Sequence, residues 1–235
     1  MRTSLRLNIA AVLAALMFLV SPSVSGAQTH EEKRVTDSAA VLETLVRAPD
    51  QGIPEHILER AEAIVVIPSL VKGGFIIGAQ HGRGIMSVRD RDTDRWSAPG
   101  FIALTGGSIG WQIGVQAVDL VLLVMNRDGV KDLLDNEFKL GANASVAAGP
   151  VGRQGEASTD ASLNAQILAY SRAKGLFAGL SLEGASLRVD KDANKDFYGT
   201  TISTEDMVRG ITKTTPAGSQ WTATLARLVP ANSTR

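Results

Sequence analysis

The alternation of apolar and polar positions divides this chain into a helical start and a long extended middle. Val35, Ala39, Leu42 and Val46 recur at helical spacing opposite Glu31, Lys33, Arg34, Asp37, Glu43 and Arg47, which predicts an amphipathic helix. Thr29 and Glu32 form the T-x-x-E pattern of a capping box at its start, and Pro49 lies just past its end. Pro54 opens a second short helix that runs to about Ala61. From Ala63 the period changes. The continuous apolar run Ala63–Ile67, stopped by Pro68, reads as a buried strand. Gly74–Ala79 and Gly84–Arg89 read as strands joined by a turn at Gln80-His81-Gly82-Arg83. Arg89–Arg95 is a polar loop, and extended structure resumes from Trp96 to Leu104. Ile109–Asn126 is apolar, and Asn126–Gly129 reads as a turn before a short helix through Leu134. Ile167–Ser171, Gly175–Leu182 and Ala185–Val189 are further strands, and Thr204–Arg209 is a short helix. The threonine-rich residues 211–235 are expected to form a weakly structured tail, although Trp221, Leu225 and Leu228 would share one face of a helical turn.

Glycine sharpens this picture. Between Gly73 and Gly184 there are 18 glycines in 112 residues, where ordinary usage of about 7% would give roughly eight. They interrupt apolar, β-branched segments, as strands with bulges and close backbone approaches do. The expected fold is therefore α+β: short helices at the amino end, then a glycine-rich, mainly antiparallel sheet forming a barrel or sandwich.

Residues 1–27 have the three parts of a cleaved secretory signal. Arg2 and Arg6 give the positive region, Leu7–Val20 the apolar region, and Ser25 and Ala27 the small residues of the cleavage site. The apolar run of about 14 residues is short of the roughly 20 that span a bilayer. The functional chain then begins near Gln28, as one domain over 28–210, exported to the periplasm or cell envelope, or secreted. Without the two signal arginines, 22 basic residues face 24 acids, a net of −2. That balance argues against nucleic-acid binding. The chain has no cysteine, hence neither a disulfide framework nor a thiolate metal site.

Three sets of residues carry candidate chemistry. Gly106-Gly107-Ser108-Ile109-Gly110 matches G-x-S-x-G, so Ser108 is a candidate hydrolase nucleophile. The elbow built on that motif needs a helix after the serine and a histidine later in the chain, yet His30, His56 and His81 all precede it. Asp90, Asp92 and Asp94 alternate, as do Asp190, Asp192 and Asn194, but neither run has the glycine and glutamate that complete a calcium loop. Solvated turns are the simpler reading, and no metal or other cofactor is expected. The third set is basic. Lys72, Arg83, Arg153, Arg172 and Lys174 stand beside glycine turns, where backbone amides and cations together hold anions.

Beyond single motifs, Ala63 to Gly199 resembles a SYLF domain. The matching blocks include Ala63–Pro68, Lys72-Gly73-Gly74-Phe75, Trp96–Phe101 and Gly106–Gly114. Gly149–Arg153, Tyr170–Gly179, Leu182-Glu183-Gly184 and Phe197-Tyr198-Gly199 continue the match. Yeast actin-patch proteins, animal and plant lipid-binding proteins and exported bacterial proteins share this module. The resemblance implies a non-catalytic lipid-binding module, directed at phosphoinositides in eukaryotic members, with actin binding in some. For an exported chain the expected partner is anionic phospholipid or a membrane surface, with actin an unlikely one and any protein partner unknown. An envelope structural or protein-interaction module is the further alternative.

Overall fold

The computed structural model describes residues 28–230, except 50–51, 91, 134–138, 142–144, 152–164, 174–175, 178–181, 183 and 212; for 74–77, 108–114 and 176–177 it describes the backbone. The expected signal segment thus lies outside the described residues. Helix α1 (His30–Val46) starts as the capping box dictates. The Thr29 hydroxyl accepts from the Glu32 N–H at 3.1 Å, and the Glu32 carboxylate accepts from the Thr29 N–H at 3.0 Å. Its buried face is Val35, Ser38, Leu42 and Leu45, with Ala39 and Val46 half-buried at the edge, so the apolar stripe is rotated slightly from the predicted one. Helix α2 (Glu55–Arg60) follows Pro54.

Two long strands, β1 (Ala63–Val88) and β2 (Gly100–Val124), then pair antiparallel from Ala63 opposite Val124 to Met86 opposite Gly100. Pro68 does not end β1. The strand lies at the sheet edge, where a missing N–H need cost no ladder bond. It is instead a bulge: Ser69 takes φ +52°, and its N–H donates to the Asp119 carboxylate at 3.0 Å. The expected turn at Gln80–Arg83 is also absent, because Gly82 and Gly84 serve a different purpose. A Cβ on Gly84 would lie 2.1 Å from the Val66 carbonyl oxygen, and one on Gly82 would lie 2.6 Å from Ile67. The strand therefore curls until its second half rests on its first, and only glycine fits at the contact.

Around this curled ribbon the rest of the sheet assembles. β4 (Ile167–Ala173) pairs antiparallel with the end of β2, and β3 (Val146–Ala148) lies parallel to β4. β5 (Leu176–Phe177) pairs with β4, and β6 (Ser186–Val189) pairs with the start of β2. The helices are completed by α3 (Arg127–Leu133), α4 (Lys191–Tyr198), α5 (Thr204–Arg209) and α6 (Pro216–Leu228). The α+β expectation holds, with a mainly antiparallel sheet curled on itself.

Alternate residues divide the sheet between two cores. The inner face (Val65, Ile67, Ile102, Leu104, Leu120, Leu122) packs with α3, α5 and Tyr198 of α4. The outer face (Ile64, Val66, Ile85, Phe101, Val121, Leu123) packs with α1, α2 and α6. Burial on both faces explains why Ala63–Ile67 is continuously apolar rather than alternating.

The segment expected to be a weakly structured tail contains α6, which belongs to the second core. Trp221 and Leu225 are fully buried, and the Trp221 Nε1–H donates to Ser87 Oγ at 2.7 Å. Its threonines do local work, with the Thr215 hydroxyl capping the helix by accepting from Gly218 N–H. Alternating Asp190, Asp192 and Asn194 form no open loop either. Asp190 caps α4, and the fully buried Asn194 clamps that helix to β2, accepting from Phe101 N–H at 2.9 Å and donating to Phe101 O at 3.0 Å.

Three outcomes follow for stability in urea. Asn194→Ala strands the Phe101 N–H and lowers unfolding free energy by about 2 kcal/mol. Trp221→Ala lowers it by roughly 3–5 kcal/mol, whereas removal of an ordered but unpacked tail would leave it unchanged. The Glu43 carboxyl, held below its ordinary value by the hydrogen bond from Arg227, ties α1 to α6. Because the folded-state value is the lower one, this tie contributes fully above the ordinary carboxylate range and is lost as pH falls through that range. Arg227→Gln therefore reduces stability at neutral pH and flattens its acid side.

Candidate functional site

The helices cover only part of the outer sheet face. Beyond them, Val115 is 81% exposed and Val71 46%, in strands whose other described large apolar side chains are mostly buried. Ala117, opposite Val71, is exposed too. Each sits at an outer position of the strand ladder, Val71 beside buried Leu70 and Ala117 beside buried Val118, so the pattern of the strand presents them.

The other half of the ribbon presents charge on the same face. Arg83 pairs with Ala103, which pairs with Arg188 of β6, so two arginines flank a small residue in one row. With strands about 4.8 Å apart, their backbones stand roughly 10 Å from one another. In the next row are His81, Thr105 and Ser186, with the two hydroxyl oxygens 3.5 Å apart. His81 and Arg188 are exposed, and the Arg83 side chain is 61% exposed. Asp190 lies 3.9 Å from Arg83 Nε but also accepts from Arg34 Nη1 at 3.4 Å, so one carboxylate is shared between two guanidinium groups. Arg34 is held in turn over the Phe101 ring, at 5.3 Å.

The basic set expected from the sequence is divided by this register. Lys72 follows the buried inner residue Leu70 by two and pairs with Gln116, which puts it at an inner-face position, half-buried. Arg172 lies opposite Asp119 across the β2–β4 ladder. Arg83 is on the outer face, and Arg153 and Lys174 lie outside the described residues. Arg188, absent from that set, joins Arg83 instead. Its signal was its position one step out of phase with buried Leu187, legible only once β6 is placed on β2.

Ser108 pairs with Gly78 in the middle of the ladder, and β2 continues to Val124. The motif therefore lacks the strand-to-helix turn of a nucleophile elbow. Asp90 closes its own turn, accepting from the Asp92 and Thr93 N–H groups and the Thr93 hydroxyl; the bonds from Thr93 hold its carboxyl below the usual range. Among the described residues no group of three or more acidic or histidine side chains is placed to hold a metal.

Known proteins share much of this sequence. The sequence model of the family described as "Ysc84: Las17-binding protein actin regulator" matches residues 105–228, ending at the last residue of α6. Protein YSC84 of Saccharomyces cerevisiae is 36% identical over 188 residues, which are 77% of this chain and 40% of that protein. LAS seventeen-binding protein 3 of the same organism is 37% identical over 171 residues, 72% of this chain and 37% of that protein. SH3 domain-containing YSC84-like protein 1 of Homo sapiens is 36% identical over 166 residues, 70% of this chain and 48% of that protein. The chain thus spans less than half the length of these relatives. By the family match over more than half of its residues, with helices and the curled sheet as its fold, the chain belongs to the Ysc84 family of SYLF-type domains.

Proposed function

We propose that this domain is a non-catalytic module that binds anionic membrane surfaces through the outer face of the β1–β2 ribbon. The observation that carries the reading is the exposed part of that face, where Val115 and Val71 stay exposed in strands whose other described large apolar side chains are buried. Apolar side chains on a firm ladder can enter the headgroup boundary without reorganising the fold. Cations near an anionic leaflet contribute about 1 kcal/mol each, and Arg83 and Arg188 are available on the same face. No described helix is long and apolar enough to cross a membrane, so the contact proposed is with the surface.

The relatives' descriptions name Las17 binding and actin regulation. In our reading residues 1–27 direct export and are removed near Gln28, which separates this chain from actin and leaves the envelope membrane as the partner. The experimental consequence is an amino terminus at Gln28 in protein recovered outside the cytoplasm; a retained Met1 there contradicts it.

Flotation tests the binding. The purified protein is expected to float with phosphatidylglycerol vesicles and not with phosphatidylcholine vesicles, and to be released by high salt. The double substitution Arg83→Gln and Arg188→Gln lowers vesicle affinity about thirtyfold. Val115→Asp lowers it too while leaving the thermal midpoint unchanged, because the Val115 side chain is already 81% exposed. Recovery near zero with both vesicle types overturns the reading.

A further inference from the structure

Away from that face, a groove of about 730 Å³ opens beside the connection between β1 and β2. That volume is within the range of small-molecule sites. Its floor is apolar: Val88, Ala98, Ile211 and Val229 line it and are at most 5% exposed. One wall is α6. Ser219, Thr222, Ala223 and Ala226 recur at i, i+3, i+4 and i+7 along the groove, on the side of the helix opposite the core residues Trp221, Leu225 and Leu228. Trp96 stands in the other wall, with the Arg89 guanidinium 4.7 Å from its ring centre. Arg89 is fully buried and fixed by the carbonyls of Leu58, Glu59 and Pro230, so this wall is rigid.

Charge decides what such a groove takes. Four charged residues line it: Asp90, Asp94, Arg95 and Arg209. Both acids are already committed. Asp90 accepts three hydrogen bonds within its own turn, and Asp94 pairs with Arg89 at 3.2 Å. Arg95 and Arg209 are exposed; Arg95 lies in the field of Asp90 and Arg209 in that of Asp206, neither in a close ion pair among the described residues. The mouth therefore offers two guanidinium forks, and the interior offers an apolar floor with the hydroxyls of Ser97, Thr214, Ser219 and Thr222 beside it. A multiply charged ligand would gain little, because the four residues sum to zero; one anionic head on an apolar body fits better.

We propose that this groove binds a medium-chain carboxylate, its head at Arg95 and Arg209 and its chain along Val88, Ala98, Ile211 and Ala223. The proposal is independent of the membrane reading, since it uses neither the outer face nor its arginines.

Calorimetric titration of the purified protein with decanoate, kept below its micellar concentration, tests it. Saturable one-site binding is expected, with acetate and decyltrimethylammonium at least tenfold weaker. Ala223→Leu with Ala226→Leu fills the groove at two exposed helical positions and should abolish binding while keeping the melting temperature. Arg209→Gln should weaken decanoate about tenfold and leave decanol unaffected. The proposal is overturned if decanoate gives no saturable heat, if the leucine variant binds as the wild type does, or if the cationic amphiphile binds as tightly.

Discussion

Everything in this domain depends on one close approach within a single strand. Gly82 and Gly84 let β1 fold back until its second half lies against Val66, Ile67 and Leu70. A side chain at Gly84 would meet a backbone oxygen, which cannot move aside as a side chain can. Without that contact, β1 and β2 would be a long two-stranded ribbon, and such a ribbon buries too little to persist alone. With it, the ribbon becomes a curved surface with an inside, filled by Ile67, Leu104, Leu120 and Leu122.

The curl also fixes where the remaining elements can go. β4 and β6 add to different stretches of β2, one near each end of the ribbon. Helices α1, α2 and α6 close over the outer face near the strand ends, and buried polar groups lock the joints. Asn194 holds α4 to Phe101, Trp221 holds α6 to Ser87, and Arg127 ties the carbonyls of Arg89 and Val208. Among the described residues, the outer face of the ribbon stays exposed at Val71, Val115 and Ala117 and along the Arg83–Arg188 row. The exposed valines and the Arg83–Arg188 row are thus products of the same geometry that makes the core.

Much of this was legible in the sequence. The capping box at Thr29, the helix after Pro54, the start of β1 at Ala63 and the α5 boundaries each follow from local chemistry. What misled was context. Pro68 and the Gln80–Arg83 glycine segment have the composition of strand ends, and only the edge position of β1 and its contact with itself turn them into a bulge and a curl. α6 hid behind threonines and alanines because its three core residues are a minority of its length. The site was less legible still. Lys72, Arg83 and Arg172 are equally basic in sequence, but a strand's two-residue period puts Lys72 on the inner face, while Arg83 and Arg172 hold outer positions on different parts of the sheet. Arg188 joins Arg83 only through the pairing of β6 with β2, a contact spanning some 85 residues, which no local pattern records.

The central claim is that the uncovered outer face of the curled ribbon is the surface that meets the membrane. Backbone hydrogen exchange of the purified protein, with and without phosphatidylglycerol vesicles, tests it most directly. The account predicts slowed exchange concentrated in residues 71–83 and 103–117, with α6 and the β1–β2 connection unchanged. Protection confined to the helices, or no vesicle-dependent change in the ribbon, would contradict it.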